Sequence, residues 1–226
     1  MDREQWLGYI RQAKAIAVIR APTYELGRQM AHAAAAGGLT CLEITWTNSQ
    51  AARLVTQLRA ELPSCQIGAG TLLTREQLEE AVKAGAQFGF SPHTDLALIE
   101  AALARSLPFI PGALTPSEIV SAWQAGAASV KVFPITAVGG ASYLRSLQGP
   151  LGHMPLIPTG GVSCEDAVNL LEAGAIAVGL GSDLFPRQDI QQANWKAITH
   201  RAAQLVASLT DITSQLPSLK ASTNRP

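Results

Sequence analysis

The chain lacks a surplus of either charge: 17 Lys and Arg stand against 17 Asp and Glu, for a formal net charge of zero at neutral pH. With no basic field to gather polyanions, neither nucleic acid nor an anionic membrane surface is expected as a partner. Long apolar runs are missing too, since no segment reaches the roughly 18 apolar residues of a membrane span. The N-terminal MDREQWLGYIRQAK carries charges where a secretory leader would need a continuous apolar stretch, and a cytoplasmic location is expected. Cysteine is scarce. Cys41, Cys65 and Cys164 are odd in number, far apart and set in apolar contexts, with no CxxC or Cys/His metal spacing, so packing is their expected role. Charged residues make up only 15% of the chain against 47% hydrophobic, which excludes disorder and suits a large interior.

What is present is a rhythm of short apolar runs. AIAVIR at 15–20, CLEITW at 41–46, QIGAGT at 66–71, FGFSP at 88–92, PFIPGA at 108–113, SVKVFP at 129–134, PLIPTGG at 155–161 and AIAVGLGS at 175–182 are eight candidate strands. Between them lie amphipathic stretches such as TREQLEEAVKAGA and TPSEIVSAWQAGA. These open on Thr74 or Thr115 as N-caps, carry glutamate in the first turn and close on Ala-Gly. Strand and helix alternate every 20 to 25 residues or so, the pattern of parallel β-α units. An open doubly wound sheet also uses parallel strands, but eight even units without a long insertion favour closure. The expectation is an α/β chain folded as a (β/α)₈ TIM barrel, with an additional N-terminal helix at about residues 2–13 capping its lower end. One catalytic domain is expected over residues 1–210, followed by a polar tail at 211–226.

In such a barrel, successive strand side chains alternate between the lumen and the surrounding helices. In SVKVFP, Val130 and Val132 suit the helix side, leaving Ser129, Lys131 and Phe133 facing inward. In CLEITW, Leu42, Ile44 and Trp46 go outward and Cys41, Glu43 and Thr45 inward. Lys131 and Glu43 thus share the lumen. Buried charges are costly unless paired or used. A structural ion pair between the two is one explanation, although a buried pair is seldom a net stabiliser. The chemical explanation uses the same burial. Desolvation drives a lysine toward its neutral amine, which can attack a ketone, and the resulting iminium is an electron sink. A nearby carboxylate can then move protons, which is what making or breaking an aldol bond requires.

Other candidates lie at strand ends. Arg20 shares a face with Ile16 and Val18 and reaches the upper mouth, where its guanidinium fork suits a substrate carboxylate; a solvated strand-end arginine is the plainer reading. PTGG at 158–161 and GLGS at 179–182 end the last two strands, where barrels often bind phosphate through backbone N–H groups. Tight βα turns want glycine in any case. Thr71, on the face of Ile67 and Ala69, offers a hydroxyl to a substrate oxygen or simply a satisfied strand end. His93 reaches the mouth, but no second ligand motif accompanies it, and no metal site is assigned.

Taken together, AVIRA, LEITWT, IGAGT, AGAQFGFSPH, FIPGALTPSE, VKVFP, PTGGV and VGLGS, in this order from about residue 10 to 208, resemble the class I 2-keto-3-deoxy-6-phosphogluconate (KDPG) and 4-hydroxy-2-oxoglutarate (KHG) aldolases. The resemblance implies that Lys131 is the Schiff-base lysine and Glu43 the general acid/base. It places Thr71 and the Pro92 backbone beside a bound pyruvyl group, and Phe133 against the lysine. It also implies that Thr159, Gly160, Gly161, Gly181 and Ser182 receive a distal phosphate, and that the protein is a homotrimer acting on a small keto acid without metal or organic cofactor.

One departure stands out. Many members carry an arginine four residues after the glutamate to hold the substrate carboxylate, and here that position is Thr47; a branch with threonine there has an arginine ending strand one, as Arg20 does. The sister phosphogalactonate aldolases typically read EIP where this chain has Glu43-Ile44-Thr45, and lack the Pro-Thr of PTGG. The gluconate substrate is therefore favoured over the galactonate one. Oxaloacetate decarboxylation by the same lysine and a phosphosugar-binding barrel without catalysis are the other readings.

Overall fold

The computed structural model describes residues 1–215 of the chain. Each of the eight apolar runs holds strand: β1 (Ala15–Ile19), β2 (Cys41–Thr45), β3 (Gln66–Gly70), β4 (Gly89–Phe90), β5 (Phe109–Ile110), β6 (Gly112–Ala113), β7 (Val130–Val132), β8 (Leu156–Pro158) and β9 (Val178–Leu180). The helices are α1 (Arg3–Ala13), α2 (Tyr24–Ala36), α3 (Ala51–Glu61), α4 (Arg75–Lys83), α5 (Leu96–Leu103), α6 (Pro116–Gln124), α7 (Ala141–Leu151), α8 (Asp166–Glu172), α9 (Arg187–Gln191) and α10 (Trp195–Gln215). The backbone of 211–215 continues α10, and the rest of the expected tail lies outside the described residues.

All strand pairs are parallel, but they form two sheets rather than one uniform ring: six strands in the order β5-β4-β3-β2-β1-β9, and three in the order β6-β7-β8. The fifth apolar run is where the expectation of a single strand fails. Pro111 has no N–H to donate, so pairing divides around it: Phe109 and Ile110 pair with β4, while Gly112 and Ala113 pair with β7. The Pro111 carbonyl still accepts the Lys131 N–H at 2.9 Å. A bridge between Thr159 and Gly179 joins the ends of β8 and β9. The result is a curled α/β half-barrel of six strands with a three-stranded sheet beside it.

Thr74 and Thr115 cap α4 and α6 as expected, the latter in a full capping box with Glu118. The apolar core has two parts, divided by the strands. Between strands and helices lie Ala17, Ile19, Leu42, Ile44, Ile67, Ala69, Val130 and Val132. Inside the curl lie Ile16, Cys41, Phe88, Phe90, Ile110 and Ile157, together with Trp6 and Ile10 of α1. Helix α1 thus closes the end from which the strands start. Its Trp6 is 0% exposed and donates its indole N–H to the Ser129 hydroxyl at 3.1 Å.

Candidate active site

Neighbours in register on parallel strands point to the same side. Glu43 is level with Val18 on β1 and Gly68 on β3, and Lys131 is level with Gly112 on β6 and Ile157 on β8. Phe88, which packs at Gly68, and Ile157 belong to the inner cluster, so the alternation read from the sequence holds for both candidates. Glu43 is 1% exposed and Lys131 5%. They make no ion pair within 4.0 Å, which removes the explanation that a direct structural pair keeps them inside.

The Glu43 Oε1 is buried without a hydrogen-bond partner. Burial pushes this carboxyl above the usual carboxylate range, and the positive charges of Lys131 and then Arg20 oppose that rise. Burial favours its neutral form and the two cations its ionised form, the opposing pulls that mark a candidate acid/base. Around the lysine, Nζ lies 4.9 Å from the centre of the Phe133 ring and 5.7 Å from that of Phe90. Phe90 in turn meets Phe88 edge-on at 5.8 Å, and Phe88 meets Trp6 at 5.0 Å. An aromatic floor therefore runs from α1 up to the amine and keeps water from below it.

Arg20 is exposed just beyond β1, one step past the Ile19–Ile44 pair, on the side of Val18 and Glu43. Thr45 is buried and its hydroxyl lies 3.0 Å from that of Thr47. Strand alternation would carry Thr71 outward with Ile67 and Ala69, whose register partners Leu42 and Ile44 face the helices. That alternation stops short of it, because Thr71 takes a left-handed φ of 58°, an uncommon conformation for a β-branched residue that tends to mark functional sites. Pro92 is half-buried, and its peptide with His93 packs so closely on Gly112 that a Cβ there would lie 2.3 Å from the Pro92 carbonyl. This brings the Pro92 backbone beside the register partner of Lys131.

At the other end of the site, Thr159 is 7% exposed and packs on Gly179. Gly160 abuts the Phe133 ring, Gly161 is exposed, and the space in front of half-buried Gly181 is open apart from the Val18 carbonyl. Ser182 is exposed next to it. Among the described residues, no group of three or more His, Cys, Asp or Glu side chains could hold a metal ion, and no helix is long and apolar enough to cross a membrane.

The family model described as KDPG and KHG aldolase matches residues 8–201. The chain belongs to the KDPG and KHG aldolase family. It is similar to the 2-dehydro-3-deoxy-phosphogluconate aldolase of Dickeya dadantii (strain 3937), with 35% identity over 80% of this chain and 85% of that protein. It is 34% identical to the KHG/KDPG aldolase of Escherichia coli (strain K12), over 78% of this chain and 83% of that one. Among solved structures, the KDPG aldolase of Legionella pneumophila, with pyruvate captured at low pH as a covalent carbinolamine, matches with a TM-score of 0.81 and 31% identity. That match covers 88% of this chain and 97% of the other.

Within this aldolase scaffold the sequence reading passed over Phe90, beside the lysine, and Ser91, in the turn after β4. Phe90 needed only the same alternation, applied to FGFSP, to be placed inside with Phe88. Ser91, 0% exposed, sits within 3.1 Å of His93 Nδ1 and donates to the His93 carbonyl at 2.8 Å. That turn follows the end of β4, beyond the reach of strand period, so no pattern in the sequence announced it.

Proposed function

We propose that this chain is a class I aldolase, a carbon–carbon lyase that cleaves 2-dehydro-3-deoxy-6-phosphogluconate to pyruvate and glyceraldehyde 3-phosphate. The observation that carries the reading is a buried lysine and a buried carboxylate on the inner side of the strands, not paired with each other, in a chain of this family. The Lys131 amine adds to the C2 ketone, and the resulting carbinolamine takes a proton from solvent and loses its hydroxyl as water to give an iminium. Glu43 takes the proton of the C4 hydroxyl, the C3–C4 bond breaks, and its electron pair flows into the iminium to leave an enamine. The aldehyde departs, Glu43 returns its proton to C3, and water releases pyruvate and regenerates the amine. Phe133 and Phe90 flank the cation, Arg20 holds the substrate carboxylate in place of the arginine absent at Thr47, and Thr71 and the Pro92 backbone border the pyruvyl group. The phosphate lies against Thr159, Gly160, Gly161, Gly181 and Ser182, through backbone N–H groups and hydroxyls.

The same machinery accepts 4-hydroxy-2-oxoglutarate, a reading supported by the dual name of the Escherichia coli relative. In this proposal residues 1–210 are one catalytic domain. The two sheets are arcs of one eight-unit barrel, continuous through Pro111 and closed across Thr159–Gly179. The protein works in the cytoplasm as a homotrimer; exposed Leu96 and Leu103 on α5, 56% and 53% accessible, supply apolar surface for subunit contact. Borohydride reduction in the presence of pyruvate is expected to fix a three-carbon adduct on Lys131, read by peptide mass. An unmodified Lys131 peptide from active enzyme would overturn the mechanism. Equal kcat/KM for phosphorylated and unphosphorylated substrates would remove the phosphate site.

A further inference from the structure

Strand β3 places two glycines, Gly68 and Gly70, on the inner side, where a strand gains nothing from glycine and loses packing. Each vacancy is filled. A Cβ on Gly68 would lie 2.2 to 2.5 Å from the Phe88 ring. A Cβ on Gly70 would lie 1.8 Å from Oε1, 2.4 Å from Cδ and 2.5 Å from Cγ of Glu43, so its three nearest atoms all belong to that one side chain. The carboxylate rests where a side chain of β3 would otherwise be. Oε1 has no hydrogen-bond partner, and among the described residues no ion pair within 4.0 Å engages the carboxylate. Its fit over Gly70 is one of shape.

We propose that Gly70 is a positioning residue for the proton-carrying side chain: the missing Cβ is a socket that holds the Glu43 carboxylate over β3 and aims it into the site. This rests on the reading of Glu43 as general acid/base. A methyl group in the socket meets the movable end of a side chain and not backbone, so Gly70→Ala is accommodated by Glu43 swinging away. A carboxylate displaced by an ångström or more no longer reaches the proton it must move. Imine formation at Lys131, which does not use the socket, persists.

The test is a cycle of wild type, Gly70→Ala, Glu43→Gln and the double variant. It is read by borohydride trapping of pyruvate and by exchange of pyruvate methyl protons for deuterium, which requires a proton carrier beside the enamine. Gly70→Ala is expected to trap pyruvate normally and to slow methyl exchange by about ten- to a hundredfold, while Glu43→Gln slows it by about 10²–10⁴. The double variant should exchange no more slowly than Glu43→Gln alone, because two changes acting through one group are not additive. Wild-type exchange in Gly70→Ala, or losses that multiply, overturns the proposal. Wild-type exchange in Glu43→Gln instead overturns the role of Glu43 itself. Should Gly70→Ala fail to fold, Gly70→Ala with Glu43→Ala, which removes all three overlapping atoms, is expected to fold. If the double variant also fails, something other than the carboxylate fills the socket and the proposal falls.

Discussion

The Lys131 Nζ lies over the Phe133 ring, 4.9 Å from its centre, and the same ring is backed by Gly160, where a Cβ would come within 2.9 Å of it. An aromatic face attracts a cation by about 0.5–2 kcal/mol, more as water is excluded, and the proposed iminium carries a charge that the attacking amine does not. Phe133→Leu keeps an apolar side chain with part of the volume and removes the quadrupole. It is expected to lower kcat/KM for aldol cleavage by about two- to thirtyfold, with a melting temperature within a few degrees of wild type. Unchanged kcat/KM in a folded variant would show that the ring only fills space.

In the proposed mechanism, the raised pKa of Glu43 sets the acid side of the pH profile. A carboxylate must be ionised to act as a base, so the acid limb of kcat/KM is expected above the roughly 4.3 of free glutamate. Arg20 opposes the effect of burial. Its positive charge favours the ionised form, so Arg20→Leu is expected to move the limb further up in pH and, by removing the partner proposed for the substrate carboxylate, to raise KM. A limb that stays in place or moves down in the variant would contradict a charge coupling between Arg20 and Glu43.

The inward direction of Lys131 and Glu43 was legible because strand period is a geometric rule. Eight apolar runs and the inward placement of Lys131 and Glu43 follow from alternation alone, and Thr74 and Thr115 from capping chemistry. The rule fails where backbone geometry departs from the regular strand. Pro111 looks like one residue of a continuous run, yet its missing N–H divides the pairing. Thr71 falls on the wrong face by period, and only its left-handed backbone shows that the alternation has ended. Gly70 reads as an ordinary strand glycine, because the group it accommodates comes from the neighbouring strand and depends on three-dimensional register. Contacts of that kind carry no sequence signal.

Closure of the lower end by α1 is expected to contribute strongly to stability. Trp6 is fully buried against Phe88 and Phe90, and it partners a Ser129 hydroxyl that is itself 0% exposed. Trp6→Ala removes the largest side chain of the inner cluster and leaves that hydroxyl unpaired, a loss of about 3–5 kcal/mol. Trp6→Phe keeps most of the volume and forfeits mainly the hydrogen bond, at about 1–2 kcal/mol. Urea unfolding should rank the variants in this order with similar slopes. Equal destabilisation by both would mean that the hydrogen bond, and not the packing, dominates.

Far from the chemistry, Glu61 joins α2 to α3. Its carboxylate accepts hydrogen bonds from Arg28 Nε at 2.9 and 3.0 Å and from Gln57 Nε2 at 2.8 Å, and lies 2.7 Å from His32 Nε2. These contacts, Arg28 foremost, hold its pKa down at about 2. Because the folded value lies below the unfolded one of roughly 4.3, the group stabilises the fold above that unfolded value, and the contribution is lost as pH falls toward the folded value. Glu61→Gln removes the charge at every pH. The variant is expected to melt about 1–4 °C below wild type at neutral pH, with the gap closing as pH drops through the range between the two values. A gap that persists unchanged into acid would assign the loss to packing and not to the carboxylate's charge.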